Sequence, residues 1–166
     1  MNKIGIIMGS DSDLPIAEKA IEKLAEYGIN YEVHVYSAHR TPEETIQFAK
    51  EARQNGFDAL IGIAGKAAHL AGVIAANTTL PVIGVPVNSS LEGMDALLST
   101  VQMPPGIPVA TVGIDGAANA AILAAEILAV SDEKLAQLLL KKRIEAKEAV
   151  LEKNHKIEEK WNGGTK

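Results

Sequence analysis

Five short apolar runs that alternate with helix-like segments constrain this chain most strongly. The runs cover residues 3–8, 31–35, 57–64, 80–87 and 109–114, and helical patterns cover residues 14–24, 42–54, 91–101 and 117–130. Strands that alternate with helices along a chain pair in parallel, with helices covering both faces of the sheet. The sequence therefore predicts an α/β fold with a doubly wound, five-stranded parallel sheet.

The sequence predicts a well-defined helix start directly after the turn at residues 37–40. Thr41 is a suitable N-cap, Pro42 a suitable first helical residue, and Glu44 stands where a capping box needs its acidic partner. The turn therefore follows directly on the strand at residues 31–35. Open α/β sheets hold their ligands at the carboxyl ends of their strands, so this turn is a candidate binding site.

The loop after the first strand also has the composition of a binding site. Gly9 permits a tight turn, Ser10 and Ser12 bring hydroxyl groups, and Asp13 immediately precedes a helix. Backbone N–H groups at a helix start attract anions, whereas a carboxylate suits the hydroxyls of a ribose. Simple helix capping is the alternative interpretation, although one of these residues would satisfy it.

The turn at residues 37–40 and a third loop bring groups that can carry out chemistry. Ser37, His39 and Arg40 together can bind an anion and move a proton, although polar residues also fill ordinary solvated loops. The third loop, at residues 65–72, is rich in small residues and contains His69, a second imidazole just beyond a strand.

Composition narrows the class of partner. The 166 residues match one domain, and no apolar run approaches the roughly 20 residues of a membrane span. There is no cysteine, and the first residues lack a signal-peptide pattern, so we expect a cytoplasmic protein. The net charge of −5 argues against a nucleic-acid surface and favours a small-molecule partner.

The segments after residue 116 point to self-association. The helix at residues 117–130 is apolar nearly all round, which a small monomeric domain rarely buries completely. The segment 132–161 is amphipathic in part and can clasp a neighbour. We expect residues 1–130 to form the catalytic domain, and residues 131–166 to form a helical extension of it that packs on a neighbouring subunit.

The three loops, together with Gln102-Met103-Pro104 and residues 108–112, closely resemble the N5-carboxyaminoimidazole ribonucleotide mutase family (PurE family, bacterial class I type). The resemblance covers residues 4–130 in the family's order. It implies a flavodoxin-like three-layer sandwich, a homo-octamer, a role in purine biosynthesis, and no metal or organic cofactor. It also implies that a carboxylate moves from the exocyclic nitrogen of the substrate's imidazole to ring carbon C4.

The resemblance also implies roles for individual residues. His39 is the expected general acid and base, because an imidazole can donate and accept a proton near neutral pH. His69 is expected to orient the carboxylate, with a purely structural role as the alternative. The expected substrate-binding residues are Gly9, Ser10, Ser12, Asp13, Ser37, Arg40, Ala64, Gly65, Lys66 and Leu70.

Two departures from the family pattern lie in the third loop. Family members often have glycine where this chain has Lys66, and proline where it has Ala71. We expect a more cationic loop, with altered substrate preference rather than an altered reaction. Relatives that carboxylate with free CO2 tend to have lysine after the histidine of the second loop, so Arg40 favours the mutase.

A non-enzymatic alternative is a flavodoxin-like nucleotide- or flavin-binding module. Such a module would use the same strand ends. Flavin sites commonly stack the ring on aromatic side chains, but the chain is only 4% aromatic and its three loops contain no Phe, Tyr or Trp. A phospho-accepting receiver would need an acidic cluster, and only the first loop is rich in acids.

Overall fold

The computed structural model describes residues 2–162 and contains one parallel five-stranded sheet. The strand order is β2-β1-β3-β4-β5, with helices on both faces, so the predicted flavodoxin-like α/β fold is confirmed. The strands are β1 (Lys3–Met8), β2 (Asn30–Val35), β3 (Ala59–Gly65), β4 (Val82–Val87) and β5 (Ala110–Thr111). The helices are α1 (Leu14–Glu26), α2 (Pro42–Glu51), α3 (Leu70–Ala76), α4 (Met94–Val101), α5 (Ala117–Ala129) and α6 (Glu133–Trp161).

The central strands are apolar because they are covered on both faces. Ile6 pairs with Val33 on β2 and with Ile61 on β3, and both isoleucines are fully buried. Continuous apolar runs of this kind are characteristic of the interior of parallel sheets. β2 lies at the edge of the sheet, where Val35 remains half exposed.

Glycines on β3 and β4 let two helices approach the sheet closely. A Cβ atom at Gly62 would lie 3.1 Å from Ala71 Cα, and one at Gly84 would lie 2.3 Å from Thr100 Cγ2. Larger side chains at either glycine would push α3 or α4 away from the sheet. The close packing of α3 fixes the position of His69, which immediately precedes this helix.

Several predicted boundaries differ from the structure. α2 ends at Glu51, before residue 54, because the chain turns through residues 52–56 and Gly56 adopts a φ of +77°. β5 has only two residues, although Asp115 still donates a backbone hydrogen bond to Pro86 O. The helix predicted at residues 91–101 is interrupted, because Glu92 has a positive φ and α4 begins at Met94.

The chain divides into two compact units, the first ending at Leu128 and the second beginning at Ala129. The first contains the sheet. The second is mainly α6, whose N-cap residue Asp132 accepts a hydrogen bond from the backbone N–H of Leu135 at 3.1 Å. Among the described residues, no helix is long and apolar enough to cross a membrane.

α5 is buried on one side and half-buried on the other. Six of its residues are buried, including Ala121, which has no exposed surface. Ile122, Leu123 and Ile127 are only half-buried. The apolar residues on one side of α5 are therefore buried within this chain. Only the half-buried side is available to a second subunit.

Candidate active site

The three loops predicted to bind substrate meet in one cavity of about 570 Å³. It lies at the carboxyl edge of the sheet, where the chain order reverses between β1 and β3, which is the usual ligand position in doubly wound folds. All twelve predicted site residues line it: Gly9, Ser10, Ser12, Asp13, Ser37, His39, Arg40, Ala64, Gly65, Lys66, His69 and Leu70. The volume is within the usual range for small-molecule sites.

Three lining residues were not predicted: Ala38, Ala67 and Ser89. Ser89 is the informative one, because it brings a hydroxyl from a fourth loop. It follows β4, which is paired with β3, so its position at the same sheet edge could have been deduced from the strand order. A Cβ atom added at Gly65 would lie 2.3 Å from Ser89 Oγ, so the glycine lets this hydroxyl approach the β3 backbone.

The turn at residues 37–40 is held by hydroxyl groups. The Thr41 hydroxyl accepts from Ser37 N at 2.8 Å and donates to Ser37 O at 3.2 Å. Ser37 Oγ in turn accepts from the backbone N–H groups of His39 and Arg40, at 3.4 and 3.2 Å. α2 does begin at Pro42, but the predicted capping box is wrong: Thr41 makes no side-chain cap because its hydroxyl is engaged in the turn.

Arg40 crosses from the second loop to the first. Its Nη2 donates to Gly9 O at 2.8 Å, which ties the ends of β1 and β2 together. The guanidinium has further N–H groups, and the side chain is exposed to the cavity. Arg40 can therefore keep this tether while it donates to an anion.

His39 and His69 are in direct contact. His39 Nε2 lies 2.8 Å from His69 Nδ1, and the rings meet edge to face at 79°. One of these two nitrogens must carry the proton while the other accepts it. Both side chains are exposed to the cavity, so the pair can exchange a proton with a bound ligand.

Asp13 is the one buried carboxylate that lines the cavity. Burial raises the pKa of this carboxyl above its usual range, against the opposing effects of the Ser10 backbone hydrogen bond and the Arg40 charge. The preceding residue Ser12 is held by Ser10, whose Oγ accepts from Ser12 N at 3.4 Å. The Asp13 carboxyl can accept hydrogen bonds from the hydroxyl groups of a ligand in the cavity.

A second, larger cavity of about 920 Å³ lies at the amino-terminal edge of the sheet. Its walls include Arg53 in the turn after α2, Val82 at the start of β4, and Pro108 before β5. Arg53 Nη2 donates to Thr79 Oγ1 there at 3.1 Å. It contains no histidine or carboxylate, so the smaller cavity is the better candidate for catalysis.

No group of three or more histidine, cysteine or acidic residues in residues 2–162 is arranged to hold a metal ion. The cavity contains two imidazoles and the Asp13 carboxyl, and each of these groups can transfer a proton. The arrangement suits acid–base chemistry on an anionic ligand.

The fold and the cavity together define a flavodoxin-like α/β protein with an imidazole pair and a guanidinium at the switch point of its sheet. The family model described as AIR carboxylase matches residues 3–149. The chain belongs to this family.

Individual relatives agree with the family assignment. The chain is 57% identical to the N5-carboxyaminoimidazole ribonucleotide mutase of Methanocaldococcus jannaschii over 156 residues, covering 94% of this chain and 98% of the relative. It is 52% identical to the enzyme of the same name from Bacillus subtilis, covering 93% and 97%. The crystal structure of Treponema denticola PurE superimposes with a TM-score of 0.83 at 30% identity, covering 94% and 98%.

Proposed function

We propose that this chain is an isomerase of de novo purine biosynthesis that interconverts N5-carboxyaminoimidazole ribonucleotide and 4-carboxy-5-aminoimidazole ribonucleotide. The similarity to named mutases over most of the chain supports the substrate class. The observation that carries the chemistry is the 2.8 Å contact of His39 and His69 inside the cavity, beside Arg40.

His39 takes part in two proton transfers in this mechanism. The bond between the exocyclic nitrogen and the carboxylate carbon breaks, CO2 is released, and His39 donates a proton to that nitrogen. Carbon C4 of the ring then attacks the CO2, and His39 accepts the C4 proton as the ring regains aromaticity. The net change transfers one proton from C4 to nitrogen, so His39 returns to its starting state.

The other lining residues hold the nucleotide in this proposal. Arg40 and the Ser37 hydroxyl bind the 5′-phosphate, because a guanidinium forms strong charge-assisted hydrogen bonds with phosphate. Asp13 accepts from the ribose hydroxyls, with Gly9 and Ser12 beside it. Ser10, Ala64 and Gly65 face the carboxylate or CO2, and Leu70 gives the cavity an apolar wall. Holding CO2 next to C4 makes its recapture effectively intramolecular.

His69 has a positioning role in this proposal rather than the predicted contact with the carboxylate. Its Nδ1 is occupied by His39 Nε2, so it sets which nitrogen of His39 carries the proton. That contact also fixes the orientation of the His39 ring in the cavity. Proton transfer depends on both properties.

The finer assignments belong to the same proposal. We place the chain in the bacterial class I mutase branch, because Arg40 follows His39 where carboxylases tend to have lysine. It works without a metal or organic cofactor, in the cytoplasm, as a homo-octamer. Residues 1–130 form the catalytic domain, and the C-terminal helical extension packs on a neighbouring subunit.

The direct test compares the purified protein with its His39→Asn variant. The rate at which each converts the N-carboxylated nucleotide is measured by absorbance, without added bicarbonate. Asparagine is polar and of similar size but cannot cycle a proton. We expect kcat to fall by about 10²–10⁴-fold, the usual contribution of general acid–base catalysis.

A matched control is His155→Asn, since His155 is an exposed histidine on α6 that does not line the cavity. This variant should keep the wild-type rate. Nucleotide affinity should be almost unchanged in both variants. Near-normal turnover of His39→Asn would show that His39 is not the proton carrier.

A further inference from the structure

Lys66 occupies a backbone conformation that lysine rarely adopts. Its φ is +57°, in the left-handed region that glycine adopts freely and that other residues adopt at an energetic cost. Strained backbone of this kind clusters at active sites and ligand-binding loops, where the strain can be part of the mechanism. The only part of Lys66 that glycine lacks is its flexible, positively charged side chain.

The position of Lys66 separates it from Arg40. Arg40 follows β2 and Lys66 follows β3, with β1 between these strands. Two strand spacings amount to about 10 Å. The cavity therefore has two positive side chains, Arg40 on the second loop and Lys66 on the third.

The Lys66 ammonium group is available to a ligand. Among the described residues it takes part in no ion pair, and its side chain is exposed at the cavity. Asp95 is an acidic residue that interacts electrostatically with Lys66. Its carboxylate already accepts hydrogen bonds from the Ser90 hydroxyl and from Ala96 N, the latter at 2.9 Å. These bonds hold the pKa of Asp95 below its usual range, with a smaller contribution from the Lys66 charge.

Ser89 adds a hydrogen-bond donor on the same side. Its hydroxyl packs against the backbone of Gly65, the residue that precedes Lys66, and it lines the same cavity. An ammonium group beside a hydroxyl is a suitable pair of donors for a carboxylate. Neither group has a task in the proton transfer assigned to His39.

We propose that Lys66, assisted by Ser89, is a specificity-determining cation that binds the migrating carboxylate of the substrate while Arg40 binds its phosphate. This inference rests on the proposed function. It makes a distinct prediction: the enzyme prefers the carboxylated nucleotides over the decarboxylated aminoimidazole ribonucleotide, and the preference depends on the charge at residue 66.

The test measures equilibrium binding of the carboxylated and decarboxylated nucleotides to the wild-type enzyme and to three variants. Lys66→Met removes the charge and keeps the backbone strain, Lys66→Gly removes both, and Lys66→Arg keeps both. We expect the first two variants to lose about tenfold in affinity for the carboxylated nucleotides and to bind the decarboxylated nucleotide as the wild type does. Lys66→Arg should retain the preference.

Thermal unfolding of the variants distinguishes the effect of the Lys66 charge from the effect of the backbone strain at residue 66. Lys66→Gly should unfold at a higher temperature than Lys66→Met, although both lose the preference. Lys50→Met, a change of an exposed lysine on α2 outside this cavity, is the control and should alter neither property.

The inference is overturned if Lys66→Met weakens both nucleotides equally, which would place Lys66 at the phosphate, or if it weakens neither. Failure of the proposed function has a different signature, since the wild-type enzyme would then bind none of these nucleotides. That result would overturn both proposals, whereas normal wild-type binding without a variant effect overturns this one alone.

Discussion

At the scale of single residues, His39 and Arg40 are chain neighbours with separable tasks. The turn that carries them is held by Ser37 and Thr41 hydroxyls, so their side chains leave a common rigid base in different directions. His39 contacts His69, whereas Arg40 reaches Gly9 O. Substitutions at the two positions should therefore affect different kinetic constants.

Arg40→Ala should weaken nucleotide binding by roughly 1.5–3 kcal/mol, the usual contribution of a hydrogen bond to a charged group. The effect on kcat should be smaller, because the imidazole pair remains. Titration of the nucleotide measures the change. Arg53→Ala, which removes an exposed arginine of the other cavity, should bind the nucleotide normally. Equal affinities for the two variants would contradict the phosphate role.

The buried carboxyl of Asp13 should make the free energy of unfolding depend on pH. Burial raises the pKa of this carboxyl, so the folded protein binds its proton more tightly than the unfolded chain does. The stabilisation by the protonated form is complete below the unfolded pKa, near 3.9 for a free aspartate, and is lost as the pH rises through the folded pKa. At neutral pH the buried carboxylate is therefore destabilising.

Asp13→Asn should consequently unfold at a higher temperature than the wild type at about pH 7, and this advantage should shrink as the pH is lowered toward about 4. Thermal unfolding at both pH values provides the comparison. Nucleotide affinity should fall, because the ribose loses its carboxylate acceptor. A stability difference that does not change with pH would contradict the argument.

At the scale of secondary structure, apolar runs were sufficient to predict the class of fold, and loop composition indicated the three loops that line the candidate site. β1 matches its predicted range in full, and the loops that follow β1, β2 and β3 do meet. The parallel topology brings them together, and this follows from strand–helix alternation alone.

Features that depend on three-dimensional neighbours could not be predicted. The hydroxyl of Thr41 can bond either to the helix N-terminus or to the backbone of Ser37. In the conformation of this turn it bonds to Ser37. The contact of His39 with His69 depends on side-chain directions 30 residues apart in sequence.

α4 presents an apolar stripe to solvent in the isolated chain. The exposed fractions are 47% for Met94, 50% for Leu98 and 46% for Val101, with Leu91, just before the helix, at 75%. Their spacing places Met94, Leu98 and Val101 along one face of the helix. A contiguous apolar face of this kind is typical of a protein–protein interface. It supports the proposed homo-oligomer.

Leu98→Glu should reduce the assembly to smaller species, because an unpaired charge buried in an interface costs several kcal/mol. Light scattering should give a mass several times the 17.5 kDa chain for the wild type and a lower mass for the variant. Lys19→Glu, on the exposed face of α1, should leave the mass unchanged. A wild-type monomer at micromolar concentration would contradict the octamer. A charge placed on α5 at Ala121 would not test assembly, because Ala121 is fully buried within the chain and the charge would disrupt the subunit itself.

At the scale of the whole molecule, the proposed mechanism requires a cavity that keeps CO2 beside the carbon that must recapture it. Arg40 and Lys66 both line this cavity, and in the two proposals they bind the phosphate and the carboxylate of one nucleotide. Migration within one bound molecule and carboxylation by free CO2 give the same product. They differ in the origin of the carboxyl carbon.

The fate of a carbon label in the carboxylate of the N-carboxylated nucleotide is the most direct test of that claim. With unlabelled bicarbonate in the solution, we predict that most of the label appears at C4 of the product, because the CO2 is recaptured before it leaves the cavity. Extensive dilution of the label by the unlabelled pool would contradict the mutase and establish a carboxylase that uses free CO2.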